Sequence, residues 1–333
     1  MTGAIVSYIS SSIPLGVPLL YGSTGEIITE KSGHLNLGIP GIMYVGGISS
    51  VIGSFLYESA YGDAMNPVLA VLIPLFSCIF GSVLMGLLYS FLTVTLRVNQ
   101  NVTGLAITTF GVGLGNFFGG SLVKLVESDL PNVTLTRTMK FFHLGIPGWE
   151  KLGWFGEIFL SHDFLTYFAI IIAVIASLVL TRTRTGLNLR AVGENPATAD
   201  AAGINVTGYK YIATMIGSAI AGLGGLQYVM VYADGVWSNN AFGDRGWMAI
   251  ALVIFALWKP LMAILGSVLF GMLCNLTFYM NRFGMPMGED TQTLFNMLPY
   301  VVTIIVLIIT SMRKKREHQP PQSLGLPYFR EER

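Results

Sequence analysis

FLTYFAIIIAVIASLVLT, residues 164–181, contains no Asp, Glu, Lys, Arg or His and runs directly into RTRTGLNLRAVGENPATADAAGINVTGYK, residues 182–210. The first stretch is close to the ~20 apolar residues that cross a hydrocarbon core as a helix. The second is polar and carries Arg182, Arg184, Arg190 and Lys210, as expected of a loop on the cytoplasmic side of a membrane. An apolar run delivered onto a basic loop predicts a spanning helix, and the rest of the chain repeats the pattern.

Further candidate spans lie at 4–22, 35–57, 67–96, 101–121, 211–232, 247–258, 261–280 and 292–311. The run at 67–96 would be about 45 Å long as a helix and must tilt, bend at Pro74 or protrude. The run at 247–258 is too short to cross alone, and Asp244 and Arg245 just before it suggest a broken or re-entrant segment. The expected fold class is an all-α polytopic integral membrane protein with about nine to ten transmembrane helices. Residues 1–312 would form the membrane domain, with a long loop at 122–163, another at 182–210 and a tail at 313–333.

Composition agrees. Of 333 residues, 53% are hydrophobic and 11% charged, less than half the ~25% usual in soluble domains; mean hydropathy is +0.63. A net charge of +1 gives no electrostatic footprint for nucleic acid. Cys78 and Cys274 both sit in apolar runs. The four histidines, His34, His143, His162 and His318, include no His-x-x-x-His pair, so no metal site is expected. The first basic residue is Lys31, so the cationic start of a signal peptide is missing and the first apolar run is expected to stay in the mature protein.

Placing Arg313-Lys314-Lys315-Arg316 in the cytoplasm and alternating backwards through nine spans puts 13 basic and 7 acidic residues inside. The outside then holds 6 basic and 11 acidic residues, an asymmetry of the sign the positive-inside rule requires. The N-terminus falls outside and the C-terminus in the cytoplasm. The tail from Glu317, with Pro320-Pro321, reads as short and disordered.

Gly111, Gly115 and Gly119 recur every four residues, and Ser218–Gly222 and Ala221–Gly225 repeat the small-xxx-small spacing that lets helices approach closely in lipid. The proposed span interiors lack ionisable residues, which argues against carriage coupled to protons or sodium. No Walker A sequence is present. A pore through such a bundle takes energy from a partner, or is a passive facilitator needing none. No acid–base pair or metal constellation supports a membrane enzyme, and no catalytic residue is assigned.

Uncharged polar residues near the spans are the candidates for solute contact: Asn36, Asn99, Gln100, Asn101, Asn116 and Gln227. Amides can hydrogen-bond hydroxyls or base edges without the desolvation cost of a charge. Within the 182–210 loop, Asn195-Pro196 starts a helix as N-cap and first residue, and Gly203 ends it. Its surface is nearly all alanine, with Asp200 as its charge. It lacks the large apolar face of a helix lying on a bilayer and is suited to docking in a protein groove.

Three stretches carry a resemblance: GEIITEKSGHLNLGIPGIM (Gly25–Met43), TRTGLNLRAVGENPATADAAGI (Thr183–Ile204) and RGWMAIALVIFALWKPLMAILGSVLFG (Arg245–Gly271). Weaker similarity surrounds Asn99-Gln100 with Gly104, and His143 to Trp149. The chain resembles permease subunits of bacterial ATP-binding-cassette importers of the simple-sugar and nucleoside branch, related to the ribose permease and most like the shorter nucleoside-type permease. It departs from that pattern at Pro40, where the family usually has Glu, and at Ala256, near which it often has Gly.

The resemblance implies the importer permease fold in the cytoplasmic (inner) membrane. It implies a homologous permease as partner, two cytoplasmic ATP-binding subunits and an extracytoplasmic binding protein. ATP is used by those partners and no cofactor is bound by this chain. Glu194, Asn195, Pro196, Ala197, Asp200 and Gly203 would form the ATPase-coupling segment. The 122–163 loop, with Glu127, Asp129, Glu150, Glu157 and Asp163, would face the binding protein. The solute would be a nucleoside, a simple sugar or a flavin-like vitamin. The competing reading is an ATP-independent facilitator or secondary carrier of nucleobases or sugars.

Overall fold

The apolar runs fold as helices whose order and packing are seen in a computed structural model, which describes residues 2–126, 132–143, 145–240, 242–282, 288–313 and 319–329. The helices are α1 (Thr2–Glu30), α2 (Ile39–Tyr61), α3 (Pro67–Ser90), α4 (Gln100–Val126), α5 (Gly153–Phe159), α6 (Phe164–Arg182) and α7 (Arg184–Glu194). They continue as α8 (Pro196–Ala201), α9 (Val206–Gln227), α10 (Arg245–Phe255), α11 (Pro260–Arg282), α12 (Glu289–Asn296) and α13 (Leu298–Arg313). Among the described residues, 8 helical segments are long and apolar enough to span a membrane, and α10 is a shorter apolar helix. The segment 247–258, expected to be broken or re-entrant, folds as the short helix α10 and the turn that follows it.

Hydropathy alone does not say which helix is central, because lipid and protein interior are equally apolar. Glycine does. The spanning windows of α2 and α9 are 78% and 72% buried, while that of α12–α13 is 11% buried. These two central helices carry Gly41, Gly46, Gly47 and Gly53, and Gly217, Gly222, Gly224 and Gly225. A Cβ added at Gly222 would strike Ser82 of α3, and one at Gly225 the Met43 carbonyl of α2. On α4, a Cβ at Gly111 would lie 2.5 Å from the Gly41 carbonyl oxygen. The small-residue spacings are packing faces. Phe76, Phe80, Leu265 and Ile304 are exposed on the outside of the bundle.

The structure differs from the sequence expectations in three places. First, α1 runs on to Glu30 and the α9 span begins at Val206, so Glu26, Glu30 and Lys210 lie in spanning segments, 1%, 4% and 3% exposed. Hydropathy truncates both helices because a charge met by protein scores the same as one met by lipid. The inference drawn from uncharged spans therefore falls away.

Second, the chain between α4 and α6 is not a free loop. Asn132–Thr134 (β1) pairs antiparallel with Val236–Ser238 (β2), with Val133 opposite Trp237. Glu127 and Asp129 lie outside the described residues, while Glu58 of α2 receives the Arg137 and Thr138 N–H groups, each at 3.2 Å. Third, the tail is ordered over 319–329 and packs on α7 and α8, with Ser323 6% exposed. Lys314, Lys315, Arg316 and His318 lie outside the described residues.

Candidate functional site

The segment from α6 to α9 is built from side-chain caps. Thr183 Oγ1 accepts from Gly186 N (3.0 Å), Asn195 Oδ1 from Thr198 N (3.0 Å) and Asn205 Oδ1 from Gly208 N (2.9 Å). Each such cap is worth about 1 kcal/mol. Pro196 takes the first position of α8, and Gly203, at φ 82°, provides the left-handed exit that a side chain would resist. Ala199 is buried with Val192 and Val206, and Tyr328 packs against them. Glu194, Ala197, Thr198, Ala201, Ala202 and Gly203 are exposed and Asp200 is half-buried. The product is a short, smooth, rigidly capped projection at one end of the bundle.

Beneath α8 lies a polar cavity of about 190 Å³ whose lining includes His34, Thr93, Arg97, Gln100, Lys210 and Tyr328. The His34 nitrogens meet Thr214 Oγ1 at 2.8 Å and Thr93 Oγ1 at 2.7 Å. Burial, with the Lys210 charge adding to it, pushes the imidazole pKa down to about 3, so the ring is neutral at physiological pH. A neutral ring donates from one nitrogen and accepts at the other. One of the two threonine hydroxyls must therefore give its proton to the ring and leave the backbone carbonyl it otherwise serves, Lys210 O or Tyr89 O.

On the other side of the α1–α2 connection, Glu26 and Glu30 stand one turn apart on α1. Glu26 Oε1 accepts from Asn36 N at 3.0 Å. Glu30 Oε2 accepts from the indole N–H of Trp258, which lies just past the end of α10. Leu257 and Trp258 both adopt left-handed backbone, each at φ 54°. Glu26 Oε2 and Asn36 Nδ2 have no partner among the described residues.

The structure disperses the amides singled out in the sequence. Asn36 is fully buried and its Oδ1 holds Gly38 N at 2.9 Å. Gln100 accepts from Leu35 N at 2.8 Å, so these two share the α1–α2 connection. Asn99 caps α4 through Val102 N (3.1 Å), and Asn101 is exposed beside it. Gln227 is buried mid-bundle, donating to Pro14 O at 3.2 Å. Asn116, toward the β1–β2 end of α4, accepts from Tyr44 OH at 2.6 Å and donates to Asn240 Oδ1 at 2.9 Å. It is the half-exposed member of the set, beside the exposed Asn240.

Sequence reasoning missed His34, Lys210, Trp258 and Tyr328. His34 lies within the Gly25–Met43 motif and Trp258 within the Arg245–Gly271 motif, which are the available signals; nothing local marks Lys210 or Tyr328.

Residues 8–307 match the family described as the permease component of branched-chain amino acid transport systems. The chain belongs to this family. It is 31% identical over 302 residues to the nucleoside ABC transporter permease protein NupC of Lactococcus lactis, covering 90% of this chain and 91% of that one. Identity to the guanosine ABC transporter permease protein NupQ of Bacillus subtilis is 28%, covering 99% of each chain. A putative glucose ABC transporter permease protein, TsgC13 of Haloferax volcanii, is 28% identical over 97% of each. The protein is thus a multi-pass ABC transporter permease, and α8, the His34 cavity and the Glu26–Glu30 pair are features of a transport subunit.

Proposed function

We propose that this permease forms half of the translocation path of a nucleoside importer. A homologous permease supplies the other half, two ATP-binding subunits hydrolyse ATP, and an extracytoplasmic binding protein delivers the solute. The chain itself binds no cofactor and performs no hydrolysis. It resides in the bacterial inner membrane, with α7, α8 and the C-terminus on the cytoplasmic side and the 122–163 segment on the other.

The observation that carries the reading is the shape of α8. Ala199 faces inward and Ala197, Thr198, Ala201 and Ala202 face out, on a backbone capped by Asn195 at its start and turned out through Gly203 at its end. A projection this small and stiff fits a groove and transmits displacement along its axis without deforming. Nucleoside is favoured because NupC and NupQ carry that solute class in their names. The name of TsgC13 supports a sugar as the second reading. The amide pair Asn116–Asn240 with Tyr44 suits either, since it offers donors and acceptors without charge.

The test is uptake of radiolabelled guanosine and glucose by proteoliposomes holding this permease, its partner permease and the ATPases, with binding protein supplied. Uptake of guanosine that stops when ATP or the ATPases are omitted is expected. Uptake by the permease alone, with or without an ion gradient, would establish the facilitator or carrier instead.

A further inference from the structure

Residues 319–329 bridge the continuous α7–α8 segment and the start of α4. Ser323 donates to Gly193 O at the end of α7 twice, from its N–H at 3.0 Å and its hydroxyl at 2.5 Å. The Leu326 carbonyl accepts from Gln100 Nε2 at the start of α4, at 3.3 Å. Tyr328 OH donates to Asp200 Oδ2 on α8 at 2.8 Å. The Arg97 guanidinium lies 4.9 Å from the centre of the Phe329 ring. Between these points the segment holds its own shape, with Leu324 N bonded to Pro321 O, Leu326 N to Ser323 O, and Gly325 at φ 80°.

Gln100 is the pivot of this arrangement. Its Nε2 holds the tail and its Oε1 holds Leu35 N, whose neighbour Asn36 is bonded to Glu26. Ala199, the one buried side chain of α8, packs with Val192 and Val206, so α8 is held through α7, α9 and the tail, and what it moves depends on these three.

We propose that residues 319–329 are a strap that carries displacement of α8 to the α1–α2 connection, fastened at Tyr328 and Gln100. This rests on the reading of α8 as the helix seated in the ATPase. Without the strap, displacement of α8 reaches that connection only through the close packing of Gly193 on Lys31 and Gly33, and less of it is transmitted.

The reconstituted complex, with the full-length chain carrying Tyr328→Phe or Tyr328→Ala, tests this alongside Gly203→Pro. The phenylalanine variant removes the hydroxyl alone and guards against misfolding. The readouts are solute transported per ATP hydrolysed and retention of the ATPase subunits on the permease. Loss of one hydrogen bond from a transmitting contact is expected to lower the ratio by roughly threefold or more in both Tyr328 variants, with ATPase retention unchanged. Gly203→Pro lowers it as well.

If Gly203→Pro uncouples while both Tyr328 variants keep the wild-type ratio, the strap is overturned and the reading of α8 stands. If Gly203→Pro also leaves the ratio unchanged, the reading of α8 falls and the strap with it.

Discussion

The indole N–H of Trp258 donates to Glu30, joining the end of α10 to the end of α1 across 228 residues of chain. Trp258 reaches that carboxylate from a left-handed backbone that a non-glycine residue holds at a cost of about 1–3 kcal/mol. The bond is therefore set against local strain, and the two helix ends are registered by it.

Trp258→Phe keeps most of the ring but leaves a buried Glu30 oxygen without its donor. A loss of about 1–3 kcal/mol is expected, read as a lower melting temperature of the detergent-solubilised permease. An unchanged melting temperature would show that Glu30 has another donor in the folded state.

Two glycines two residues apart on α4 should behave oppositely. At Gly111 an added Cβ lies 2.5 Å from the Gly41 carbonyl oxygen, whereas at Gly113 it meets nothing within 4 Å. Gly111→Ala is expected to destabilise by about 1–3 kcal/mol through forced separation of α2 and α4. Gly113→Ala should be neutral or stabilise by up to about 1 kcal/mol through helix propensity. Thermal unfolding of the two variants side by side decides it.

His34 predicts an acid-sensitive stability. Burial holds its pKa at about 3 in the folded protein, against 6.5 for an ordinary imidazole. Between those values the unfolded chain holds a proton that the folded chain does not, so stability rises with pH through this window and is lost as pH falls from 6.5 toward 3. Above 6.5 the residue contributes no slope. His34→Gln, which can still donate and accept between Thr93 and Thr214, should flatten the dependence of melting temperature on pH below about 6.5. A variant with the same slope as the wild type would remove His34 as its source.

What the sequence showed about this fold divides by distance along the chain. Asn195, Pro196 and Gly203 announce α8 because a cap, a fixed φ and a left-handed exit are all satisfied within a few residues. The spans are legible because lipid demands a continuous apolar run. Glu26, Glu30 and Lys210 look like loop charges in the sequence because hydropathy records their polarity but not the Trp258, Asn36 and Thr214 neighbourhoods that enclose them. Pro320-Pro321 and flanking charge are typical of disorder, while the tail's partners Gly193, Gln100 and Asp200 lie more than a hundred residues upstream. Among the amides, Asn99 and Asn36 are engaged with nearby backbone, and Asn116 alone combines distant partners with exposure. Residue type could not separate those cases.

The pairing of Val133 with Trp237 gives the opposite face of the molecule a mechanical character of its own. The Trp237 ring packs edge-on against Tyr44, 5.0 Å between centres, and Tyr44 belongs to the most buried helix of the bundle. A molecule pressing on the segment around β1 therefore pushes, through one strand pair and two aromatic rings, on the axle of the bundle and not on a slack outer coil.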